Sequence, residues 1–333
     1  MREMQRPSPL RAHLLDTPPE SALRSLSSSI SPDVDVTLGE AVPQDVHVLV
    51  TGRPTRGQLD APRDLRALIV PYAGIPAETR QRLITGYPSL PVYNLHHNAV
   101  AASELGVALL LATAKTLLPV DRRFRTGDWR SRYDGAPTVL LAGKTAVVLG
   151  LGAIGLRVAN CCHALGMQVV AVRRRPQLPH PDAVEVRGSD ALHQVLPNAD
   201  VLIVTVPLTP DTEGWIGPAE IDLLPSTCLM VNIARGAIVD EEALYRALVD
   251  GRIAGAGLDV WYQYPPSEEA RASTLPSRYP FHELDQVVMS PHRGGAFRVE
   301  ELEMQRMADL GATLLALAHG ADAPHRVDLE AGY

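Results

Sequence analysis

The sequence predicts an α/β protein: a doubly wound parallel sheet accompanied by a second, smaller α/β unit. Short apolar runs alternate with helical patterns along most of the chain. A glycine-rich turn near the middle follows one such run and opens a helix. The length, 333 residues, suits two domains, and a hydrophobic content of 46% supplies their cores.

In the first hundred residues, Val46–Val50, Ala67–Val70 and Pro91–Tyr93 read as strands bounded by Pro and Gly, and Ala77–Thr85 as a helix between them. Together they predict a small unit with a parallel sheet. The serine-rich stretch 25–31 reads as a surface loop. Ala101–Leu118 reads as a helix too apolar to show water any wide side, expected to pack between domains or between subunits. A polar connection, RFRTGDWRSRYDGAPTVLLAG, follows. From Lys144 the alternation becomes more regular. Thr145–Leu149, Gln168–Val172, Val201–Val206, Cys228–Asn232, Gly257–Val260 and Gln286–Ser290 are expected strands, with helices at Ala153–Leu165 and Glu241–Asp250. Five or six such strands make a doubly wound sheet. A last helix, Arg298–Ala318, is expected to return to the first domain. That domain would then be discontinuous, residues 1–98 plus 296–333, around a dinucleotide-binding domain of residues 99–295.

Composition narrows the function. The net charge is −7, from 31 basic and 38 acidic residues, so no basic face invites nucleic acid or a membrane surface. The N-terminal stretch lacks an apolar core of the signal-peptide kind, and no apolar run is long enough to span a bilayer. Three cysteines, two of them adjacent (Cys161, Cys162), cannot form a disulfide framework and fit a reducing, cytoplasmic location. No metal-ligand spacing is evident.

The glycine turn is Gly150-Leu151-Gly152-Ala153-Ile154-Gly155, a G-x-G-x-x-G between an apolar strand and a helix. In that context it marks a Rossmann-type site. The first glycine makes the turn, the second admits a pyrophosphate, and the third lets helix and strand approach. The helix N-terminus from Ala153 and Ile154 offers unpaired N–H groups to the phosphates. An NAD site places an acid at the end of the next strand to hold the ribose 2′-OH. Here the strand ends in Val172-Arg173-Arg174-Arg175, and the first acid after Gly155 is Asp182. Arginines at that point suit a 2′-phosphate, so NADP is the expected cofactor, with NAD as the alternative. The other reading of Arg173 and Arg174 is a solvated basic turn.

Four further stretches fall at strand ends: Thr205-Val206-Pro207-Leu208-Thr209, Val231-Asn232-Ile233-Ala234-Arg235-Gly236, Gly257-Leu258-Asp259-Val260 and Ser290-Pro291-His292. With the glycine turn, and from about Ala67 to the C-terminus, the chain resembles the D-isomer-specific 2-hydroxyacid dehydrogenases, the glyoxylate/hydroxypyruvate reductases among them. The resemblance implies a flavodoxin-like smaller domain, a homodimer with Ala101–Leu118 in its interface, and a small 2-oxo or 2-hydroxy acid as substrate. It implies that Arg235 clamps the substrate carboxylate, that His292 exchanges a proton with the substrate oxygen, and that Asp259 holds the nicotinamide carboxamide. By the same likeness Val206, Pro207, Thr212, Ile233, Ala234, His292 and Gly294 line the cofactor. Tyr72, Ala73, Gly74 and Ile75 form a loop whose N–H groups bind the substrate carboxylate, with Asn98 and Arg235 beside the substrate.

One position departs from the family pattern. The glutamate that usually pairs with the catalytic histidine stands just before a proline, and Tyr264 occupies that place in Tyr264-Pro265-Pro266. A neutral partner does not stabilise imidazolium, so His292 is expected to be less often protonated, a poorer acid for ketone reduction but still a base for alcohol oxidation. Glu268, Glu269 and Glu283 are candidates to replace the carboxylate. Formate dehydrogenases of the family carry a neutral glutamine there and a Trp after the Asp-Val pair, as Trp261 does. Arg293-Gly294-Gly295 after His292 does not follow them. The alternatives to an oxo-acid reductase are therefore a formate-like hydride transfer that needs no His–Glu pair, or a nucleotide-sensing binding protein on this fold, as in the C-terminal-binding protein corepressors.

Overall fold

Runs such as ALIV at 67–70 and VLIV at 201–204 are buried at every position. Strands buried on both faces belong to parallel sheets with helices on each side, and a computed structural model of the chain has that arrangement. It describes residues 8–134, 138–295 and 299–332. Outside the described residues lie the first seven residues, 135–137 of the polar connection, Arg298 at the expected start of the last helix, and Tyr333.

In chain order the first elements are β1 (Leu10–Leu14), α1 (Glu20–Ile30), β2 (Val34–Leu38), β3 (Val48–Val50), α2 (Arg56–Asp60), β4 (Ala67–Val70), α3 (Ala77–Gly86) and β5 (Val92–Asn94). Then come α4 (Ala99–Ala114), α5 (Leu117–Phe124), α6 (Arg130–Tyr133), β6 (Thr145–Leu149), α7 (Ala153–Ala164), β7 (Gln168–Val172), β8 (Val184–Arg187), α8 (Leu192–Val195) and β9 (Val201–Val204). The series closes with α9 (Pro218–Asp222), β10 (Leu229–Asn232), α10 (Glu241–Val249), β11 (Gly255–Leu258), β12 (Val287–Met289) and α11 (Glu300–Ala318).

These elements form two units, Met1–Asn98 with Ala296–Tyr333, and Ala99–Gly295. In the first, five parallel strands run in the order β2-β1-β3-β4-β5, the flavodoxin-like order. Helix α11 packs on α1. The stretch 25–31, expected to be a loop, mostly belongs to α1. Its serines face outward while Leu26 and Ile30, four residues apart, are buried. In the second unit seven parallel strands run β12-β11-β10-β9-β6-β7-β8. Six of them reproduce the Rossmann order, with β12 added at one edge. The edge strand β8, polar at alternate positions, is an element the sequence reading missed.

The apolar helix also differs from expectation. It ends at Ala114, because Thr116 takes a left-handed conformation (φ 47°) and a separate helix follows. Helix α4 packs on α7, β10 and β11 of its own unit. A run of exposed large apolar side chains lies beyond it, at Leu117, Leu118, Phe124, Trp129, Tyr133 and Leu140. Cys162 and Cys228 are buried, Cys161 is exposed, and all three are free thiols. Among the described residues no single helix is long and apolar enough to cross a membrane.

Candidate active site

The glycine turn is shaped by close packing. Gly150 has φ +90°, and a Cβ there would stand 3.1 Å from Val206 N. A Cβ on Gly155 would overlap the Gly150 carbonyl oxygen. At Gly152, by contrast, a Cβ would meet nothing within 4 Å. Gly152 is also the N-cap of α7, with no side-chain cap on the first-turn N–H groups. An open space before an uncapped helix N-terminus is a fit for a pyrophosphate. Thr205 Oγ1 donates to the carbonyls of Leu149 and Gly150 at 2.8 and 2.9 Å and holds the turn against β9.

At the end of β7 the arginines have different surroundings. Arg173 Nη2 donates to the carbonyls of Leu178 and Pro176, the latter at 3.3 Å. It braces the loop after the strand, while its Nε is buried without a partner among the described residues. Arg174 is exposed. Thr212 Oγ1 donates to Pro207 O at 2.6 Å and so ties down the loop after β9.

Three neighbouring strands deliver the chemistry. At the end of β10, buried Asn232 accepts from Ala234 N through Oδ1 (3.1 Å) and donates from Nδ2 to Arg235 O (3.0 Å). That turn presents Arg235, whose Nη1 donates to Ala234 O at 2.6 Å. Arg235 has no carboxylate partner among the described residues. Burial lowers its pKa, and Tyr264 acts in the opposite sense. Gly236 lies against the backbone of Trp261, where a Cβ would stand 2.6 Å from the Trp261 carbonyl carbon.

Asp259 directly follows β11 and is 1% exposed. Its Oδ1 accepts from Ser290 Oγ (2.5 Å) and Arg293 N (2.7 Å), and its Oδ2 from Gly294 N (2.8 Å). A carboxylate offers about four lone-pair positions. Three are therefore given to the loop that carries His292, and one on Oδ2 remains for another donor such as a carboxamide. The sequence marked Asp259 as a cofactor contact but not its bracing of this loop.

His292 follows β12 with φ +57°, the left-handed region that non-glycine residues rarely take. Its Nδ1 is 2.9 Å from Tyr264 Oη, and its Nε2 has no partner among the described residues. Burial lowers the His292 pKa first, Arg235 lowers it further, and Asp259 opposes them. Tyr264 Oη also accepts from Trp261 N at 3.2 Å, and Trp261 Nε1 donates to Ser290 O at 2.8 Å. The phenol pKa is raised, chiefly by burial, against the Trp261 N–H and Arg235. None of the three candidate glutamates is bonded to the histidine. Glu268 pairs with Arg271 at 2.6 Å, Glu283 Oε1 lies 3.9 Å from the neighbouring His282 Nε2, and Glu269 accepts from its own N-terminal turn. Asn232 bonds within its own turn, but the contacts of Ser290 and Trp261 join distant segments and carry no local signal.

In the other unit, the Tyr72–Ile75 loop follows β4. Asn94 Nδ2 donates to Ala73 O at 2.6 Å, and Tyr72 lies over Gly52, where a side chain would displace it. Asn98 Oδ1 and His97 Nδ1 are buried with no partner among the described residues. No group of three or more potential metal ligands occurs among those residues.

Comparison with known proteins adds the family. The sequence model described as "D-isomer specific 2-hydroxyacid dehydrogenase, NAD binding domain" matches residues 107–294. A glyoxylate reductase from Aeropyrum pernix is 35% identical over 237 residues, 69% of this chain and 67% of that protein. A D-3-phosphoglycerate dehydrogenase from Archaeoglobus fulgidus is 34% identical over 233 residues, 70% of this chain but only 41% of that longer protein. Among solved structures, a D-isomer-specific 2-hydroxyacid dehydrogenase from Xanthobacter autotrophicus Py2, in complex with NADPH and MES, superposes with a TM-score of 0.80 at 23% identity, covering 98% of this chain and all of that one (100%).

Proposed function

Because the chain belongs to the D-isomer-specific 2-hydroxyacid dehydrogenase family, we propose that it interconverts a small 2-oxo acid and its D-2-hydroxy acid with NADP(H), NAD(H) being the second choice. The observation that carries this reading is the convergence of Arg235 and His292 at the carboxyl ends of β10 and β12, the strands on either side of β11 in the sheet that bears the glycine turn. Arg235, without a carboxylate of its own, clamps the substrate carboxylate and polarises the carbonyl. His292 exchanges a proton with the substrate oxygen. A bound nicotinamide supplies the hydride. We assign the Ala99–Gly295 unit to the dinucleotide, with Gly150, Gly152, Gly155, Arg174, Val206, Pro207, Ile233, Ala234 and Gly294 around it. The Tyr72–Ile75 loop and Asn98 we assign to substrate recognition.

The exposed apolar residues from Leu117 to Leu140 support a homodimer through that segment, and three free thiols support a cytoplasmic location. A second reading, hydride transfer from a substrate that needs no imidazolium, is favoured by the neutral Tyr264 at His292. The test is steady-state turnover of glyoxylate, hydroxypyruvate and a wider panel of 2-oxo acids with NADPH, run beside oxidation of formate and D-2-hydroxy acids with NADP. Tight NADPH binding without turnover of any 2-oxo acid would replace the reductase reading.

A further inference from the structure

Tyr264 Oη has two polar neighbours among the described residues, Trp261 N at 3.2 Å and His292 Nδ1 at 2.9 Å. The backbone N–H can only donate, so it occupies one lone pair of the phenol oxygen. A phenol also carries one proton to place. If Nδ1 bore a hydrogen, Oη would accept from two N–H groups and its own proton would have no acceptor in the protein. If the phenol donates to Nδ1, the phenol proton and the Nδ1 lone pair satisfy each other.

We propose that Tyr264 is a positioning residue and proton reserve: its O–H donates to Nδ1, holding neutral His292 with its hydrogen on Nε2, the nitrogen left open to the reacting oxygen. The family's usual carboxylate would do the reverse. It accepts from Nδ1–H, so that neutral imidazole presents a bare Nε2 and acid catalysis waits on imidazolium. Here the neutral ring is already a donor. This deepens the proposed function and rests on it for the identity of the reacting oxygen.

The proton balance closes without imidazolium. As the carbonyl carbon is reduced, its oxygen gathers negative charge. The Nε2–H bond breaks and an O–H bond forms on the substrate, while the phenol O–H breaks and Nδ1–H forms. The phenolate left behind accepts from Trp261 N–H and lies in the field of the Arg235 guanidinium. Once the product leaves, bulk solvent returns one proton to Nε2 and the Nδ1 proton goes back to the phenolate, which resets the pair. In the oxidative direction each transfer reverses.

This changes the pH dependence that the bare substitution implied. The charged and titratable groups that act on His292 are Arg235, Asp259 and Tyr264, and those on Tyr264 are Arg235 and Asp259. Reduction then holds its rate above the lowered His292 pKa and through mildly alkaline pH, until the phenol, held above its ordinary range, loses its proton. In Tyr264→Phe the rate falls with rising pH through the His292 titration, and kcat at about pH 8 drops on the order of 100-fold with KM little changed.

The direct experiment is nitrogen NMR of the full chain, 15N-labelled in histidine, without added dinucleotide at about pH 8. The expected spectrum has His292 Nδ1 unprotonated and Nε2 protonated in the wild type, and a mixture of tautomers in Tyr264→Phe. A wild-type Nδ1 that bears the proton would overturn the proposal. So would a His292 tautomer unmoved by Tyr264→Phe, whether or not that variant is active. The expected tautomer together with no turnover of any 2-oxo acid would support the pairing and remove the proposed function.

Discussion

Asp259→Asn should damage the site more than its one-atom change suggests. The carboxylate is 1% exposed and answers three donors, Ser290 Oγ, Arg293 N and Gly294 N, at 2.5, 2.7 and 2.8 Å. Whichever way the amide is turned, its NH2 faces one of the two backbone N–H groups. That buried donor loses its partner, at about 1–3 kcal/mol, and the bonds that remain lose their charge assistance at about 1 kcal/mol each. The sum is about 3–5 kcal/mol. With a urea m-value of about 2–3 kcal/mol/M, the unfolding midpoint of the unit that contains Asp259 should fall by about 1–2 M. Activity should fall as well, because the loop that holds His292 at φ +57° loses its anchor. The His292 pKa, which the Asp259 charge raises, should drop further. Urea unfolding followed by circular dichroism, with kcat/KM on the same preparations, tests both. Ser290→Ala, which removes a single bond, is the graded control at about 1–2 kcal/mol. A stability change under about 1 kcal/mol in Asp259→Asn would refute the view that this carboxylate holds the histidine loop.

Three other outcomes follow from the geometry. Because Arg173 is committed to backbone carbonyls, Arg174→Gln should weaken NADPH binding about tenfold while NADH changes little; fluorescence titration measures both, and an equal loss for the two dinucleotides would shift the 2′-phosphate contact elsewhere. Arg235→Lys keeps the charge and loses the planar fork, so kcat/KM for a 2-oxo acid should fall about 10–100-fold in a folded protein; wild-type kcat/KM would remove Arg235 from the substrate. His96 and His97 are held down to about 4, mainly by burial. The unfolded chain, with histidines near 6.5, therefore binds more protons between pH 4 and 6.5, and stability is lost as pH falls through that window. Partial exposure limits the loss to about 1–2 kcal/mol. The variant with both His96→Gln and His97→Gln should flatten thermal stability across those pH values, and an unchanged acid profile would point to other groups.

The sequence was most legible where a strand ends in a motif. Gly150–Gly155, Asn232–Arg235, Asp259 and His292 each combine an apolar run with residues whose backbone or charge requirements are local. It was least legible where geometry is set at a distance. Nothing near Thr116 announces a left-handed residue, so the apolar pattern ran on past the end of α4. Helix α1 hid behind its serines, since only Ala22, Leu26 and Ile30 mark the buried side. The donors that occupy Asp259 lie 31 to 35 residues away along the chain. The consequence of Tyr264 depended on Trp261 N reaching the same oxygen, a turn geometry that the order of residues does not spell out.

Gly236 limits how this protein can diverge. Its Cα rests on the main chain of Trp261, the residue whose N–H reaches Tyr264. Two segments of the chain are thus gauged against each other by an absent side chain, one carrying the arginine and the other the partner of the histidine. A methyl group at 236 would wedge them apart and misplace both at once, with no nearby side chain able to shorten in compensation. Selection for a new substrate has room to act on the exposed stretch 265–269. At position 236, however, variant libraries should return only the parental codon family.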